Sequence, residues 1–266
     1  MGTQTGLPFR LSLALGALMA VQSALGLALP HVYRDSGYVK ETWFGNDLVT
    51  LVLALPLLVV GLVLEHRGAL LGRLLWLGGL GYAVYNYAFY LFGAALNAFF
   101  LLYVVAFLVA VSTLMLGLSG TSATSVAAGF SPRTPVKLVG GYLMFAAAGL
   151  TVVWGVMWAG YVFAGRPAPG GPEAFKIVAA LDLTVMVPGL ALGGSLLWRR
   201  HPWGYVIATL ASVQGALYLT VLALNGVLFI VRGLAEAPGE LPVWGSLCVA
   251  TAAAAMLLLS HARCSD

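Results

Sequence analysis

Long apolar runs alternate along the chain with short segments that carry charges or clusters of Gly, Pro and Ser. A helix needs about 20 residues to cross the hydrocarbon core of a membrane, because each residue adds about 1.5 Å of length. The pattern therefore predicts an all-α fold, a polytopic transmembrane helix bundle of about eight helices. The predicted spans are 11–30, 45–64, 71–92, 94–118, 138–163, 176–198, 203–229 and 241–261.

One apolar run is too long for a single span. From Leu74 to Leu118 the chain has no charged residue, and this length is about twice that of one crossing. The segment FGAALN, residues 92–97, is the only plausible turn within it. We therefore predict a helical hairpin, in which the aromatic stretch YNYAFYLFGAALNAFF forms the end of one helix and the start of the next.

Composition supports a membrane location. Hydrophobic residues make up 61% of the chain and charged residues 8%, whereas soluble domains have roughly 25% charged residues. The 13 basic residues form no block of five or six, so no nucleic-acid partner is predicted. The N-terminal apolar run, 11–29, is longer than the core of a signal peptide, roughly 7–15 residues, and is interpreted as a permanent first helix.

The basic residues also predict an orientation. With eight spans, Arg10, Arg67, Arg133 and Arg199 all flank the same side of the membrane. Cytoplasmic loops are enriched in Lys and Arg, so this side is predicted to be the cytoplasm. Both termini are then cytoplasmic, and the loops at 31–44 and 164–175 are external.

Two segments of the chain resemble each other. DLVTLVLALPLLVVGLVLEH runs from Asp47 to His66, DLTVMVPGLALGGSLLWRRH runs from Asp182 to His201, and both ends are displaced by 135 residues. The match predicts two parallel four-helix repeats, 1–118 and 138–266, joined by a cytoplasmic linker at 119–137. The alternative is a chance match, because Leu-rich spans resemble one another easily.

Three longer segments carry a family resemblance. They are LLWLGGLGYAVYNYAFYLFGAALNAFFLLYV, WFGNDLVTLVLALPLL and ALDLTVMVPGLALGGSLLWRRHPWGYVIA. They resemble a group of bacterial, largely actinobacterial, hypothetical membrane proteins, over most of the chain. The resemblance implies a multi-helix protein of the bacterial plasma membrane, and it implies no activity.

Asp182 is the sharpest candidate for a functional side chain. It lies six residues after Lys176, which places it roughly 9 Å inside the end of its helix. A carboxylate at that depth is costly, so it should face protein or water and have a partner. It is either a proton, cation or polar-ligand site, or a structural Asp bonded between helices. Asp47 has the same alternatives and a third, that of an anion in the first turn of its helix.

Polar and aromatic side chains of the predicted hairpin are the expected partners of these carboxylates. Helical spacing places Tyr82, Tyr85, Asn86 and Tyr90 on one face. Lipid tails offer these groups no hydrogen bonds, so the face should point into the bundle. It is predicted to line an externally open pocket together with Asp47, Asp182, Asn97, Tyr218 and Asn225. The alternative is that the amides hold helices together while the tyrosines anchor at the membrane interface.

Catalytic and metal-binding patterns are absent from the sequence. No two of the four histidines are a helical turn apart, so neither a metal site nor a haem is predicted, and no other cofactor is expected. Cys248 and Cys264 are read as unpaired. The sequence contains no nucleotide-binding or hydrolase motif.

Three functions fit these observations. The first is a permease for a small polar molecule or an ion, with an external polar and aromatic pocket. The second is a structural or accessory membrane subunit without its own activity, and the third is a membrane enzyme or cofactor protein. Enzymatic activity is the least expected of the three. Beyond the lipid bilayer and such a cargo, no protein partner is predicted.

Overall fold

The computed structural model describes residues 6–168, 170–234, 239 and 241–262, and in these ranges the chain is helical. No sheet occurs in this part of the chain, which has one isolated bridge between Phe130 and Ala262. The helices are α1 (Leu7–Ala28), α2 (Gly37–Val49), α3 (Leu55–His66), α4 (Leu70–Gly93), α5 (Phe100–Ser119), α6 (Ala123–Ala128), α7 (Val136–Ala164), α8 (Pro172–Leu181), α9 (Val187–Trp198), α10 (Pro202–Val231) and α11 (Leu241–His261).

Within the described ranges, seven helical segments are long and apolar enough, by length and composition, to cross a membrane. They are Leu7–Ala28, Val39–His66, Phe100–Ser119, Val136–Ala164, Pro172–Trp198, Pro202–Val231 and Leu241–His261. Helix α4, predicted as a span at 71–92, has sufficient length but is not among them, because its tyrosines, asparagine and glycines lower its mean hydropathy. The prediction of a multi-pass α-helical membrane protein is thereby confirmed at the level of seven apolar helices.

Several element boundaries differ from the prediction. Helix α2 begins at Gly37, so most of the predicted external loop at 31–44 is helical. The turn of the hairpin covers 94–99, slightly later than the FGAALN segment, and a short helix occupies Ala123–Ala128 within the predicted linker. Polar and charged residues can continue a helix beyond its apolar part, as they do in α2, so an apolar run does not fix the ends of a helix.

Two spans contain a stretch of π-helix. One covers Thr50–Ala54, between α2 and α3, and the other covers Asp182–Met186, between α8 and α9. Each is followed by a proline, Pro56 or Pro188, at the second position of the next helix. A proline has no N–H and its ring clashes with the preceding turn, so a wider turn just before it relieves the conflict. Both stretches lie inside an apolar span, where π-helix commonly accompanies a functional site.

Helices α4 and α10 pack on each other in the middle of the bundle. Each also packs closely on the helix that precedes it, α4 on α3 and α10 on α9, through glycines. A Cβ at Gly61 would lie 2.6 Å from the Trp76 nitrogen, and one at Gly193 would lie 2.9 Å from the Ala208 nitrogen. These backbones can approach each other only because the side chain is absent.

The features of the two packed hairpins match at a constant spacing. Three pairs of residues are each separated by 132 positions. They are the glycines Gly61 and Gly193, the prolines Pro56 and Pro188 after the π-helices, and the first residues of the π-helices, Thr50 and Asp182. The connecting turns match at the same spacing. In the first turn the amide of Ala69 donates to the carbonyl of Leu64, and in the second the amide of His201 donates to the carbonyl of Leu196. The spacing differs by three residues from the 135 read from the sequence.

Candidate functional site

Asp47 is the centre of a closed polar cluster in the first half of the chain. Its side chain is fully buried. Tyr33 donates a hydrogen bond to Oδ2 at 2.6 Å, while Gln22 and Tyr90 each donate to Oδ1 at 2.8 Å. Three donors from three different segments satisfy this carboxylate. The contacts tie together α1, the loop before α2, α2 itself and α4.

Gly26 of α1 packs directly against Asp47. A Cβ at Gly26 would lie 2.1 Å from Asp47 Oδ2 and 2.4 Å from the Tyr33 hydroxyl. Burial, and then the nearby Asp47 carboxylate, raise the pKa of the Tyr33 phenol above its ordinary value. The phenol therefore keeps its proton and remains a donor to Asp47. The helix of Asp47 begins ten residues earlier at Gly37, so the role of first-turn anion does not apply to it.

Asp182 has a different environment. Its side chain is also buried, but it receives two hydrogen bonds, from Tyr85 to Oδ1 at 2.5 Å and from the Trp154 indole to Oδ2 at 2.9 Å. The Tyr85 ring packs against that of Tyr218, with centroids 4.7 Å apart. The carboxylate therefore lies between α4 and α7, at the first residue of the second π-helix.

Neither carboxylate belongs to an ion pair within the described ranges. The salt bridges there join Arg73 to Glu65, Lys176 to Glu173 and Arg232 to Glu41. A buried carboxylate that is ionised without a cationic partner is costly, even when hydrogen bonds reduce the penalty. Asp47 and Asp182 are thus the two places in this part of the chain where a buried negative charge has no fixed countercharge.

Three other predicted site residues form no hydrogen bond with either carboxylate in the described part of the chain. The Tyr82 hydroxyl is 2.8 Å from the Thr50 hydroxyl, and Asn86 donates weakly to the same oxygen at 3.4 Å. Asn97 accepts from the Phe99 amide at 2.8 Å and donates to the Ala95 carbonyl, both within the hairpin turn. Their contacts here are those of groups that hold helices and turns together.

A cavity of about 400 Å³ lies next to the Asp182 cluster. Its size falls within the range of small-molecule sites. Trp154 and Tyr218, which border Asp182, form part of its wall, and Trp43, which stacks on Tyr90 of the Asp47 cluster, forms another part. The cavity therefore borders residues that pack against both carboxylate clusters. The lining residues come from α2, α4, α7, α8, α10 and α11 and the segments that precede α8 and α11.

Several pairs of residues that line this cavity are again 132 positions apart. Thr42 and Ala174 line it, as do Trp43 and Phe175. Gly93 and Asn225 form a third such pair. Positions matched by the spacing in α2 and α8, and in α4 and α10, thus face the same cavity.

Two buried polar atoms on lining residues lack a hydrogen-bond partner among the described residues. They are Nε1 of Trp43, which is fully buried, and Oδ1 of Asn225, a residue with 5% exposure. Most buried polar atoms in proteins are paired, so such exceptions call for an explanation. The Asn225 oxygen faces Gly45 of α2, because a Cβ built at Gly45 would lie 1.8 Å from it.

The predicted site residues are thus distributed over separate places. Tyr85 and Tyr218 lie with Asp182, and Tyr218 and Asn225 line the cavity. Tyr90 lies with Asp47, whereas Tyr82 and Asn86 lie with Thr50 and Asn97 lies in a turn. Whether these residues bind a ligand stays a prediction.

Sequence reasoning missed several partners that complete these clusters. Gln22 and Tyr33 bond to Asp47, Trp154 bonds to Asp182, and Trp43 lines the cavity. Gln22 offered a signal, because an amide inside an apolar span needs a partner. The tryptophans and Tyr33 offered none that distinguishes them from interface anchors. Cys248 is near the Thr220 hydroxyl, and Cys264 lies outside the described residues.

Comparison of the chain with protein-family models, with curated proteins and with solved structures finds no match.

Proposed function

We propose that the protein is a permease for a small molecule in the bacterial plasma membrane. One observation carries the proposal: a cavity of ligand size lies beside the buried Asp182 and is lined by pairs of residues from both halves of the chain. Cavities at the interface of two repeats, next to irregular helices, are where transporters commonly bind their substrates. A purely structural subunit has no need of such a cavity.

The proposal includes an internal duplication with eight spans, in which α4 is the eighth span and is enclosed by other helices. Its support is the constant spacing of 132 residues, together with contacts that occur twice with the two halves exchanged. A Cβ at Gly45 would touch Asn225, and one at Gly93 would touch Ile177. The numbers 45 and 177, and 93 and 225, are each 132 apart.

Contacts between the central helices α4 and α10 also occur twice with the two halves exchanged. A Cβ at Gly78 would lie 2.5 Å from the Val213 side chain, and one at Gly81 would lie 3.0 Å from the Leu210 side chain. Such reciprocal contacts are those of a two-fold axis. Four helices in each half, 1–118 and 138–266, would make the halves parallel copies around an axis along the membrane normal. The cavity would then lie on that axis.

The predicted topology directs the cavity outward. With both termini in the cytoplasm, the ends of α4 and α10 that border the cavity, at Gly93 and Asn225, are on the external side. We propose this outward-facing arrangement as one of two states. Rocking of one half against the other would expose the same cavity to the cytoplasm, with the two π-helices as the irregular segments that border the moving interface.

A cysteine-accessibility experiment tests this proposal without knowledge of the substrate. In a variant with Cys248 and Cys264 changed to Ser, a single cysteine at Ala174 would be treated with a membrane-impermeant maleimide in vesicles of each orientation. A permease predicts modification from the external side and, more slowly, from the cytoplasmic side, because the cavity opens to each in turn. A cysteine at lipid-exposed Val152 is the matched control, and should react from neither side.

Reaction at position 174 from one side alone, under all conditions, would contradict alternating access and favour the accessory-subunit function. Purification of the wild-type protein with a stoichiometric partner chain would favour that function further.

A further inference from the structure

The walls of the cavity are rich in aromatic rings. Seven of the lining residues are Trp, Tyr or Phe, among them Trp43, Trp154, Phe175 and Tyr218. The faces of such rings carry partial negative charge and attract cations, including organic ammonium ions. They also pack favourably on apolar groups. The composition of the wall therefore suits a cation that carries an apolar body.

The nearest buried charge has the sign that such a ligand needs. Trp154 and Tyr218 form the wall on the side of Asp182, and Trp154 donates its indole N–H to that carboxylate. A negative charge that lies directly behind an aromatic wall strengthens the attraction for a cation in a site with low dielectric constant. It also disfavours any anionic ligand by a comparable amount.

No lysine or arginine is among the described residues that line the cavity. Two basic residues near it are paired with carboxylates, Lys176 with Glu173 at 2.6 Å and Arg232 with Glu41 at 2.6 Å, and both pairs are partly or largely exposed to solvent. Lys40, next to the lining residue Val39, forms no salt bridge within the described ranges. The wall itself therefore contributes no positive charge that opposes Asp182.

Asn225 adds no acceptor that faces the cavity. The residue is 95% buried and lines the cavity, and its Oδ1 lacks a donor among the described residues. That oxygen points at Gly45 of α2, because a Cβ built at Gly45 would lie 1.8 Å from it. The aromatic wall and the carboxylate behind it therefore carry the ligand chemistry.

We infer that the cavity binds a small aromatic or alkyl ammonium ion, with its apolar body against the rings and Asp182 as its countercharge. This inference rests on the proposed permease function, since it names the substrate class of that same cavity. Asp182 acts through the aromatic wall and is a specificity-determining residue for the sign of the ligand charge.

Three probes of similar shape and different charge test the inference. Binding of phenethylammonium, phenethyl alcohol and hydrocinnamate to the full-length protein in lipid nanodiscs would be measured by equilibrium dialysis, with empty nanodiscs as background. The inference predicts saturable binding of phenethylammonium and binding of the other two that is weaker by about tenfold or more, since such a factor corresponds to one charge-assisted contact. Equal binding of the cation and the alcohol would overturn it and indicate a simple apolar or lipid-filled cavity.

Two carboxylate variants locate the charge. Asp182→Asn should weaken phenethylammonium binding by about tenfold or more while leaving phenethyl alcohol binding unchanged. Glu65→Gln removes the same charge at the opposite end of the bundle, in a residue that pairs with Arg73 and does not line the cavity, and should change binding by less than about twofold. Equal losses in the two variants, or none in Asp182→Asn, would overturn the role of Asp182. Thermal unfolding of both variants shows whether each is folded.

The outcome separates this inference from the permease proposal. Failure of all three probes to bind, together with maleimide reaction at position 174 from both sides, would refute the ammonium ligand and keep the permease. Reaction from one side alone, with charge-selective binding, would keep the ammonium site and refute transport.

Discussion

The clusters around Asp47 and Asp182 contain the same buried carboxylate in two different surroundings. Asp47 has three donors, and Gly26 beside it has no space for even a methyl group. Asp182 has two donors, one of which, Trp154, also forms the wall of a cavity. The first cluster is closed by its neighbours, and the second borders open space. A buried charge is thus used once to hold helices together and once, we propose, to attract a ligand.

The matched positions of the two halves explain how this difference arises. At the spacing of 132 residues, Gln22 corresponds to Trp154 and Thr50 corresponds to Asp182. The two aspartates therefore do not correspond to each other, although each is the first residue of one of the two similar sequence segments. If the chain is a duplication, the halves have placed their acidic residues on different turns of the same span.

The largest expected effect comes from closing the last gap in the Asp47 cluster. Gly26→Ala would place a methyl group 2.1 Å from Asp47 Oδ2, so the carboxylate or Tyr33 has to move. At least one buried polar group then loses its partner, which costs about 3 kcal/mol of unfolding free energy or prevents folding. Thermal unfolding in detergent measures the effect.

The matched control is Gly155→Ala in the lipid-exposed part of α7, where nothing lies within 4 Å of the new methyl group. It should leave stability unchanged or raise it by up to about 1 kcal/mol, because alanine favours helix. Similar losses in both variants would mean that the Asp47 cluster has no special role in stability.

The second prediction compares the two carboxylates directly. Asp47→Asn places an amide where three donors converge, so one of its N–H groups meets a donor and the unfolding free energy falls by about 2 kcal/mol. Asp182→Asn has fewer donors to oppose it and a cavity beside it, so its loss should be about half as large. A greater loss for Asp182→Asn would reverse the assignment of the closed and open clusters.

Much of the helix pattern was readable from the sequence, and the site was only partly readable. Apolar runs of about 20 residues place the spans because lipid demands such a length. The hairpin from residue 71 to 118 follows from the same demand. The sequence also contains the glycines that allow α3 to approach α4 and α9 to approach α10. They are Gly61 and Gly72 in one half and Gly193 and Gly204 in the other. These glycines carry the spacing of 132 residues.

The partners of the aspartates were hidden for a physical reason. Which side chain of α1 meets Asp47 depends on how α1 is rotated about its axis, and an apolar helix with so little amphipathic pattern does not reveal its rotation. The π-helices are likewise invisible in the composition, apart from the prolines that follow them. A cavity is the space that side chains leave, so it depends on all of these rotations together.

The third prediction concerns the cavity beside Asp182. Ala174 lines the cavity, so Ala174→Phe should fill it while changing the unfolding free energy by less than about 1 kcal/mol, since empty space receives the ring. Phenethylammonium binding should be lost. The same substitution at Ala147, which is buried in the bundle, should destabilise the protein through overpacking. Retained binding in Ala174→Phe would exclude the cavity as the ligand site.

The last prediction compares the loss of unfolding free energy when each of two matched donors, Gln22 and Trp154, is removed. Gln22→Leu removes a donor inside the closed cluster and should cost about 1–2 kcal/mol, because the Tyr87 hydroxyl that donates to its oxygen also loses a partner. Trp154→Phe removes the indole donor to Asp182 but keeps a ring in the wall, and should cost under about 1 kcal/mol. Thermal unfolding of both variants in one detergent makes the comparison. Equal costs would indicate that Asp182 is enclosed as tightly as Asp47.

The most direct test of a ligand site beside Asp182 is an experimental density map of the full-length protein in lipid nanodiscs, with and without phenethylammonium. The account predicts density for a ring and its ammonium group between Trp154, Tyr218 and Asn225, present only with the ligand. Density unchanged by the ligand, or a space filled by the protein's own side chains, would contradict it.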